Sequence, residues 1–552
     1  MKIAVQLPIS GCLRLICCMY DYLETAVKKL IADFKEHCKI NFVKNLFDRK
    51  IEFSNKDILS ITITAVYALI TFILVAHHEP FEDELNVWMI LNNFSGFQLF
   101  ERAFEGGNSL ILYLLLWPFA KAGFSYYCVR IVCWLSCVLA VFVLNCLSPF
   151  PLFINAIITF SAPMLYFYPV IARSYSLLPL FLFSAAFFFS DRNIDKDGRN
   201  IGYVLFLLLL AAISMTHVIM FAFVALMLFL FVYHRFYLQR RRHKSEIAAA
   251  SITLASLTII VVQVLAAMKA VSQFGNKSTV DAPLKGVIIP FFACFFDTTK
   301  GHIFYSYTPN SGLLFYLPLF AAIILFCGML IFLYRREKKY FWIFLLSVCF
   351  PLYIYLTTYS IIVPYRVFTV HLLLVFFFWI AVKNSNEISI KMLRNKMFLT
   401  VMSLFFLISI PSGFSMAYSD LKQNFSSAIN AAEYIKKNIP DDGKNILLSP
   451  FPWQGAAVAF YLAPRSIYLL NGEKVMCIED RAGAFDNRLA ESGVLSGKEW
   501  LYVVASIYHF ETLASFGYEF VYITPKSMVI EEHYVIFRKK LYGNDIIDLE
   551  VG

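Results

Sequence analysis

Between Glu79 and Asn86 the chain reads EPFEDELN, which places four carboxylates, Glu79, Glu82, Asp83 and Glu84, directly behind a long apolar segment. A helix that ends at a membrane surface is anchored by Trp, Tyr, Lys or Arg. Clustered acids instead repel one another and hold each other's protons, unless a cation or a proton transfer employs them. A carboxylate here can serve as a general base toward a hydroxyl. His77 and His78, beside Asp83, are the residue types that hold a divalent cation, but their spacing matches no diagnostic metal motif. Taken alone, the same stretch reads equally well as a solvated acidic turn, so the rest of the chain has to decide.

Four other polar groups interrupt apolar sequence in a comparable way: the turn Gly106-Gly107-Asn108, the turn Arg173-Ser174-Tyr175, His217, and the pair Tyr365-Arg366. Ionisable residues at helix ends inside an apolar protein are costly to place, so each is a functional candidate. Arg173 and Arg366, one at a time, fit an interfacial anchor as well as a binding role. Two guanidinium groups on the same side as four carboxylates weaken the anchor reading. A lone helix-end histidine such as His217 is more often structural.

The elements that must position these groups follow from composition. Of 552 residues, 59% are hydrophobic and 16% charged, too apolar for a soluble chain, so this is a polytopic membrane protein. The net charge of +10 sits in short runs between apolar segments, where the positive-inside bias explains it, and implies no nucleic-acid partner. The 12 cysteines make no paired metal-ligand spacing.

Residues 1–57 read as a cytoplasmic amphipathic segment lying on the inner leaflet. Given roughly 20 residues per crossing, spans are expected near 58–76, 128–147, 153–170, 175–190, 202–214, 216–233, 248–268, 311–334, 341–360, 366–382 and 398–415. The stretch 109–120 is short, contains Pro118, and is expected to lie in the interface or dip part-way. With the amino terminus inside, the basic runs at 235–244, 335–339 and 383–396 all fall in the cytoplasm. The loop 77–127, Arg173, His217, Arg366 and everything after residue 415 then fall outside. From 418 to 552 the composition becomes that of a soluble domain. A helix is expected over 426–438 and strands at 446–449, 467–470 and 502–505, which together suggest a small external α/β domain.

The order of these pieces resembles the polytopic GT-C glycosyltransferases of the dolichyl-phosphate-mannose and protein O-mannosyltransferase-like superfamily, which also includes bacterial enzymes using undecaprenyl-phosphate sugars. The matching stretches are FEDELNVW (81–88), GGNSLILYLLLWPFAKAG (106–123), VRIVCWLSCVLAVFVL (129–144), SAPMLYFYPVIARSYSLLPL (161–180) and VPYRVFTVHLLLV (363–375). AINAAEYIKKNIPDDGKNILLS (428–449), followed by AAVAFYL (456–462), is similar to the soluble domain of bacterial members.

The resemblance implies a GT-C-like transmembrane domain over 58–417 with about 11–13 helices, a C-terminal external α/β domain, and residence in a cell inner (plasma) membrane. It implies inverting transfer of a sugar from a polyprenyl-phosphate donor to a lipid, glycan or protein acceptor. Asp83 matches the position of the family's acid that acts on the acceptor, and Glu84 fills the adjacent acidic site. Arg173, Arg366, Tyr175 and Tyr365 are candidates for the donor phosphate, and Asn108 and His217 for substrate. No metal ligand is assigned, and a divalent cation near His77, His78 and Asp83 stays open. Where many relatives carry prolines after the Gly-Asn turn, this chain has Ser109 and Leu110. Two rival readings are a polysaccharide polymerase or ligase, which does not call for carboxylates behind the first span, and a lipid-linked sugar transporter or flippase, which calls for paired repeats not found here.

Overall fold

The computed structural model describes residues 55–105, 110–190, 201–240, 243–273, 289, 291–296, 313–357, 364–383, 395–478, 495 and 497–541. Seven helical stretches among them are long and apolar enough to cross a membrane: Lys56–His77, Tyr127–Leu147, Val218–Leu238, Lys244–Ala266, Tyr316–Arg336, Pro364–Lys383 and Lys396–Lys422. Shorter apolar helices cover Leu110–Lys121, Ser174–Phe189 and Ile201–Ser214, and a further helix covers Lys338–Thr357. The protein is thus an α-helical polytopic membrane protein with a small mixed α/β region toward its C terminus. Its outer helices turn apolar side chains outward, as a lipid-facing surface requires; Leu69, Phe229 and Leu317 are among them.

The helix Pro364–Lys383 is apolar on every side and buried almost throughout, which makes it the hub of the membrane region. Phe376 and Phe377 meet Phe223 at ring distances of 5.1 and 5.8 Å, Phe344 stands 5.9 Å from Phe377, and Phe183 stacks 6.4 Å from Trp379. Such contacts between large rings use the aromatic content to fill a tight core. Arg366 stands near the start of this helix and Lys383 closes it, so 17 residue steps at roughly 1.5 Å each hold them about 26 Å apart, close to the thickness of a bilayer core. At the Lys383 end, its ammonium lies 4.7 Å from the Phe187 ring, and Tyr340, two residues past Lys338, lies 6.2 Å from Phe377. Lys338, Lys339 and Lys383 therefore gather at one end of the hub, and Tyr365 and Arg366 stand at the other.

The expected span at 153–170 is not one helix. A helix covers Leu152–Thr159 and ends at Phe160. A wide turn at Pro163–Phe167 follows, and an irregular backbone then runs to a 3-10 turn at Ser174–Leu177. Pro163 cannot supply an N–H to continue the preceding helix. Broken backbone at this depth is tolerated only when protein surrounds it, and residues 161–172 are all buried. Tyr67 donates to the Met164 carbonyl at 2.7 Å, Tyr168 donates to the Tyr365 carbonyl at 3.1 Å, and Gly413 packs so closely on Ala162 that a Cβ there would stand 2.7 Å from its Cα. This crossover delivers Ala172 and Arg173 to the end of the hub helix.

The acidic stretch, expected to be a loop, forms the first turn of a helix, Glu82–Asn93. Three acids in a first turn suit the positive end of a helix dipole. Helices Gly96–Glu105 and Leu110–Lys121 follow; the latter has 12 residues and contains Pro118. In the C-terminal region, a helix at Ala428–Asn438 leads to a four-stranded sheet in the order β1-β2-β4-β3, where β1 is Asn445–Leu448, β2 Trp500–Ser506, β3 Glu519–Ile523 and β4 Tyr534–Lys540. β1 and β2 run parallel, and β4 runs antiparallel to both β2 and β3. The segment expected as a strand at 467–470 contributes only an isolated bridge from Tyr468 to Leu448. One face of this sheet, with Tyr502, Val504, Tyr534 and Ile536, shares an apolar cluster with Leu85, Trp88, Leu112 and Tyr113 of the helices Glu82–Asn93 and Leu110–Lys121. The acidic turn is thereby held between the membrane helices and the sheet.

Candidate active site

Asp83 and Glu84 are adjacent in sequence and face different surroundings. The Asp83 carboxylate forms an ion pair with the Arg173 guanidinium, and their side chains are 27% and 13% exposed. Arg173 also donates to the Tyr365 hydroxyl at 2.6 Å and lies 5.2 Å from the centre of that ring. On the other side of Tyr365, the Arg366 guanidinium stands 5.9 Å from the same centre. Tyr175 lies 5.0 Å from Tyr365 and 4.9 Å from His217, ring to ring. Five of the positions singled out with Asp83 (Arg173, Tyr175, His217, Tyr365 and Arg366) thus converge on one point at the end of the hub helix.

The electrostatics of this cluster have identifiable sources. Burial works against the charge of Arg173, and Asp83, followed by Tyr365 and Tyr175, more than offsets it, so the Arg173 pKa is raised. Burial, with Arg366 and Arg173 in electrostatic reach, depresses His217 well below its ordinary value. His217 is therefore neutral near pH 7. Its Nδ1 accepts the Ile219 N–H at 3.2 Å, which assigns the ring proton to Nε2 and makes that nitrogen a donor.

Glu84 is fully buried and already employed. Its oxygens accept the Ala172 N–H at 2.5 Å and the Phe81 N–H at 3.2 Å, and pair with His78 Nε2 at 2.9 Å. His78 Nδ1 meets Asp420 at 2.9 Å, the same Asp420 oxygen accepts the Tyr166 hydroxyl at 2.9 Å, and Arg130 donates to the His78 carbonyl at 2.7 Å. Burial pulls the His78 pKa down, but Asp420 and Glu84 on either side push it up to about 10, so the imidazolium bridges two carboxylates. This network ties the acidic turn, the broken crossover and the helix Ile410–Lys422 together, and it holds Ala172, the residue before Arg173.

Both ring nitrogens of His78 are thus engaged, and His77 points outward, exposed. Among the described residues no group of three or more His, Cys, Asp and Glu side chains is arranged to hold a metal ion. Asn108 lies outside the described residues. Sequence reasoning missed His78 as a structural cation and missed Asp420, Tyr166, Arg130 and Glu532. Asp420 carried a usable signal, because it is a lone acid at the end of the last apolar helix, where the same cost argument applies. Glu532 carried none: it reaches the acidic turn only through the sheet, accepting the Glu82 N–H at 2.6 Å.

No family model and no curated protein matches the sequence. Among solved structures, the chain is similar to ArnT from Cupriavidus metallidurans in two crystal structures. The apo state gives a TM-score of 0.49 at 12% identity, covering 88% of this chain and 98% of that one. The structure bound to undecaprenyl phosphate gives 0.46 at 12% identity, covering 87% and 97%.

Proposed function

We propose that the protein is a membrane glycosyltransferase that moves a sugar from a polyprenyl-phosphate donor to an acceptor hydroxyl at the external face of a cell inner (plasma) membrane. The observation that carries this reading is the meeting of the partly exposed Asp83 with Arg173, Tyr365 and Arg366 at one end of the buried hub helix. A lipid phosphate at a membrane surface presents its anion at the depth where these guanidinium groups stand. The basic side chains Lys338, Lys339 and Lys383 gather at the opposite end, which the positive-inside bias assigns to the cytoplasm.

In the proposed step Asp83 accepts the acceptor's hydroxyl proton while that oxygen attacks the anomeric carbon from the face opposite the phosphate. The bond from the anomeric carbon to the phosphate oxygen breaks with its electron pair going to the phosphate, and the configuration inverts. The charge growing on the leaving phosphate is met by the planar donor forks of Arg366 and Arg173 and by the Nε2–H of His217. Tyr365, whose ring lies beside both guanidinium groups, sets their separation, and Tyr175 supports it from below. A phosphate drawing on Arg173 loosens that residue's hold on Asp83, so donor binding frees the base. Glu84 acts as a positioning residue, through Ala172 and the Arg173 turn.

The test is transfer by purified protein in nanodiscs from radiolabelled polyprenyl-phosphate sugars to candidate lipid, glycan and protein acceptors. Wild type is expected to transfer, and Asp83→Asn is expected to lose at least about 100-fold, the usual scale for removing a general base. Equal turnover by the two proteins removes Asp83 from the mechanism. Failure of wild type with every polyprenyl-phosphate donor sinks the reading as a whole.

A further inference from the structure

A second polar cluster lies on the far side of the acidic turn, at the seam with the sheet. Glu82, immediately before Asp83, receives the Glu532 side chain on its backbone N–H at 2.6 Å. Tyr534, which begins β4, is fully buried with Glu532 and Glu82 in electrostatic reach; Glu532 is 1% exposed. Tyr126 closes the cluster from the start of a membrane helix, its ring 5.8 Å from Phe460, next to Tyr461. Arg130 stands one helical turn beyond Tyr126 and is in electrostatic reach of both Tyr126 and Tyr461.

The Tyr534 hydroxyl, the Tyr126 hydroxyl, Glu532 Oε2 and Arg130 Nε are all buried, and none has a hydrogen-bond partner among the described residues. Buried polar atoms without partners are costly and rare, and several drawn to one place mark a surface shaped for a polar ligand. They belong to three separate elements: the start of a membrane helix, the turn before β4, and β4 itself. A single packing compromise does not explain all of them.

We infer that this seam is the acceptor side of the reaction centre and takes an uncharged, hydroxyl-rich group, a sugar, with Tyr534, Tyr126, Glu532 and Arg130 as its hydrogen-bonding wall. The inference rests on the reading of Asp83 as the base, since it places the acceptor on the opposite side of that residue from Arg173 and Arg366. The chemistry of the wall selects the ligand. Hydroxyls and a guanidinium donate, carboxyl oxygens accept, and a sugar hydroxyl does both. Burial pushes Glu532 up to about 8, and burial with Glu532 and Asp83 beside it raises Glu82. Near neutral pH Glu532 keeps its proton and presents O–H as well as C=O. An anionic group would face Glu531, Asp83 and Glu84, and a cationic group would require Glu532 to ionise against its burial.

Binding can be read without any donor. The full-length protein in nanodiscs is titrated with methyl α-mannoside and methyl β-glucoside as neutral probes, and with glucosamine and glucose 6-phosphate as charged ones, following the unfolding midpoint and the heat of binding. The neutral glycosides are expected to bind saturably and more tightly than either charged probe, and Tyr534→Phe is expected to weaken them at least fivefold. Should that variant not fold, Tyr126→Phe and Glu532→Gln are read the same way. Absence of saturable binding by neutral glycosides, tighter binding of a charged probe, or wild-type affinity in a folded Tyr534→Phe protein overturns the inference. A failure of polyprenyl-phosphate transfer would leave these binding results standing, so the two readings fail separately.

Discussion

Asp83 and Glu84 share a peptide bond and a helical turn, yet one stands at the mouth of the site and the other is locked in the interior. Glu84 is bonded to His78, Phe81 and Ala172, with no exposed side-chain area. Among the described residues Asp83 has one ionic partner, and it keeps an exposed edge. Adjacent residues on a helix point about 100° apart, which is enough here to separate a group with an exposed edge from one that holds the architecture. The charge network below the site and the charge pair within it should therefore respond differently to the same kind of substitution.

The largest effect is expected from Glu84→Ala, which leaves the His78 imidazolium with one anion and the Ala172 N–H without its acceptor. Removing one member of a buried ion pair costs about 3–5 kcal/mol, so thermal unfolding of the purified protein should show a much lower midpoint, and transfer should fall with it. Asp83→Asn should invert that pattern, with a large loss of transfer and a stability change of no more than about 1 kcal/mol, since partly exposed ion pairs contribute little. An Asp83→Asn protein as unstable as Glu84→Ala would erase the distinction between the two residues.

Tyr365→Phe sharpens the comparison within the site. It removes one hydrogen bond to a charged group, worth about 1.5–3 kcal/mol, and should slow transfer by about 10- to 100-fold while the unfolding midpoint changes little. Unaltered turnover would show that Arg173 does not need Tyr365 to be positioned.

The smallest expected effect is on pH dependence. His78, with its pKa raised to about 10 against burial by Asp420 and Glu84, contributes stability that is complete below its ordinary value of 6.5 and is lost as pH rises through 10. Glu532, raised by burial to about 8, contributes stability that is complete below its ordinary value of 4.5 and is lost as pH rises through 8. The wild-type unfolding midpoint should fall steadily between pH 6 and 10, and Glu532→Gln should flatten the part below 8 while leaving the part between 8 and 10. A midpoint that climbs over that range would contradict both assignments.

The apolar runs, the short helix interrupted by Pro118, the helix before Pro440 and the strands at β1 and β2 were legible in the sequence because each is a local matter of periodicity and turn chemistry. The convergence of Asp83, Arg173, Tyr175, His217, Tyr365 and Arg366 was legible too, because ionisable residues at apolar helix ends declare their cost wherever they occur. Where the expectation failed, the cause was long-range. The stretch 153–170 is apolar enough to cross, and only its packing against Tyr67, Gly413 and Tyr365 lets it break and carry Arg173 inward. β3 and β4 form by pairing across the sheet, and β4 lies between two strands that both precede it in sequence.

What the sequence determined by itself is therefore the set of costly residues and their place at the ends of apolar segments. The tertiary structure alone decided which acid meets the guanidinium groups and which is spent on His78 and Ala172. A hydrophobic pattern records how far a residue is from water, but the partner that compensates a buried charge comes from elements hundreds of positions away, as Asp420 and Glu532 do here.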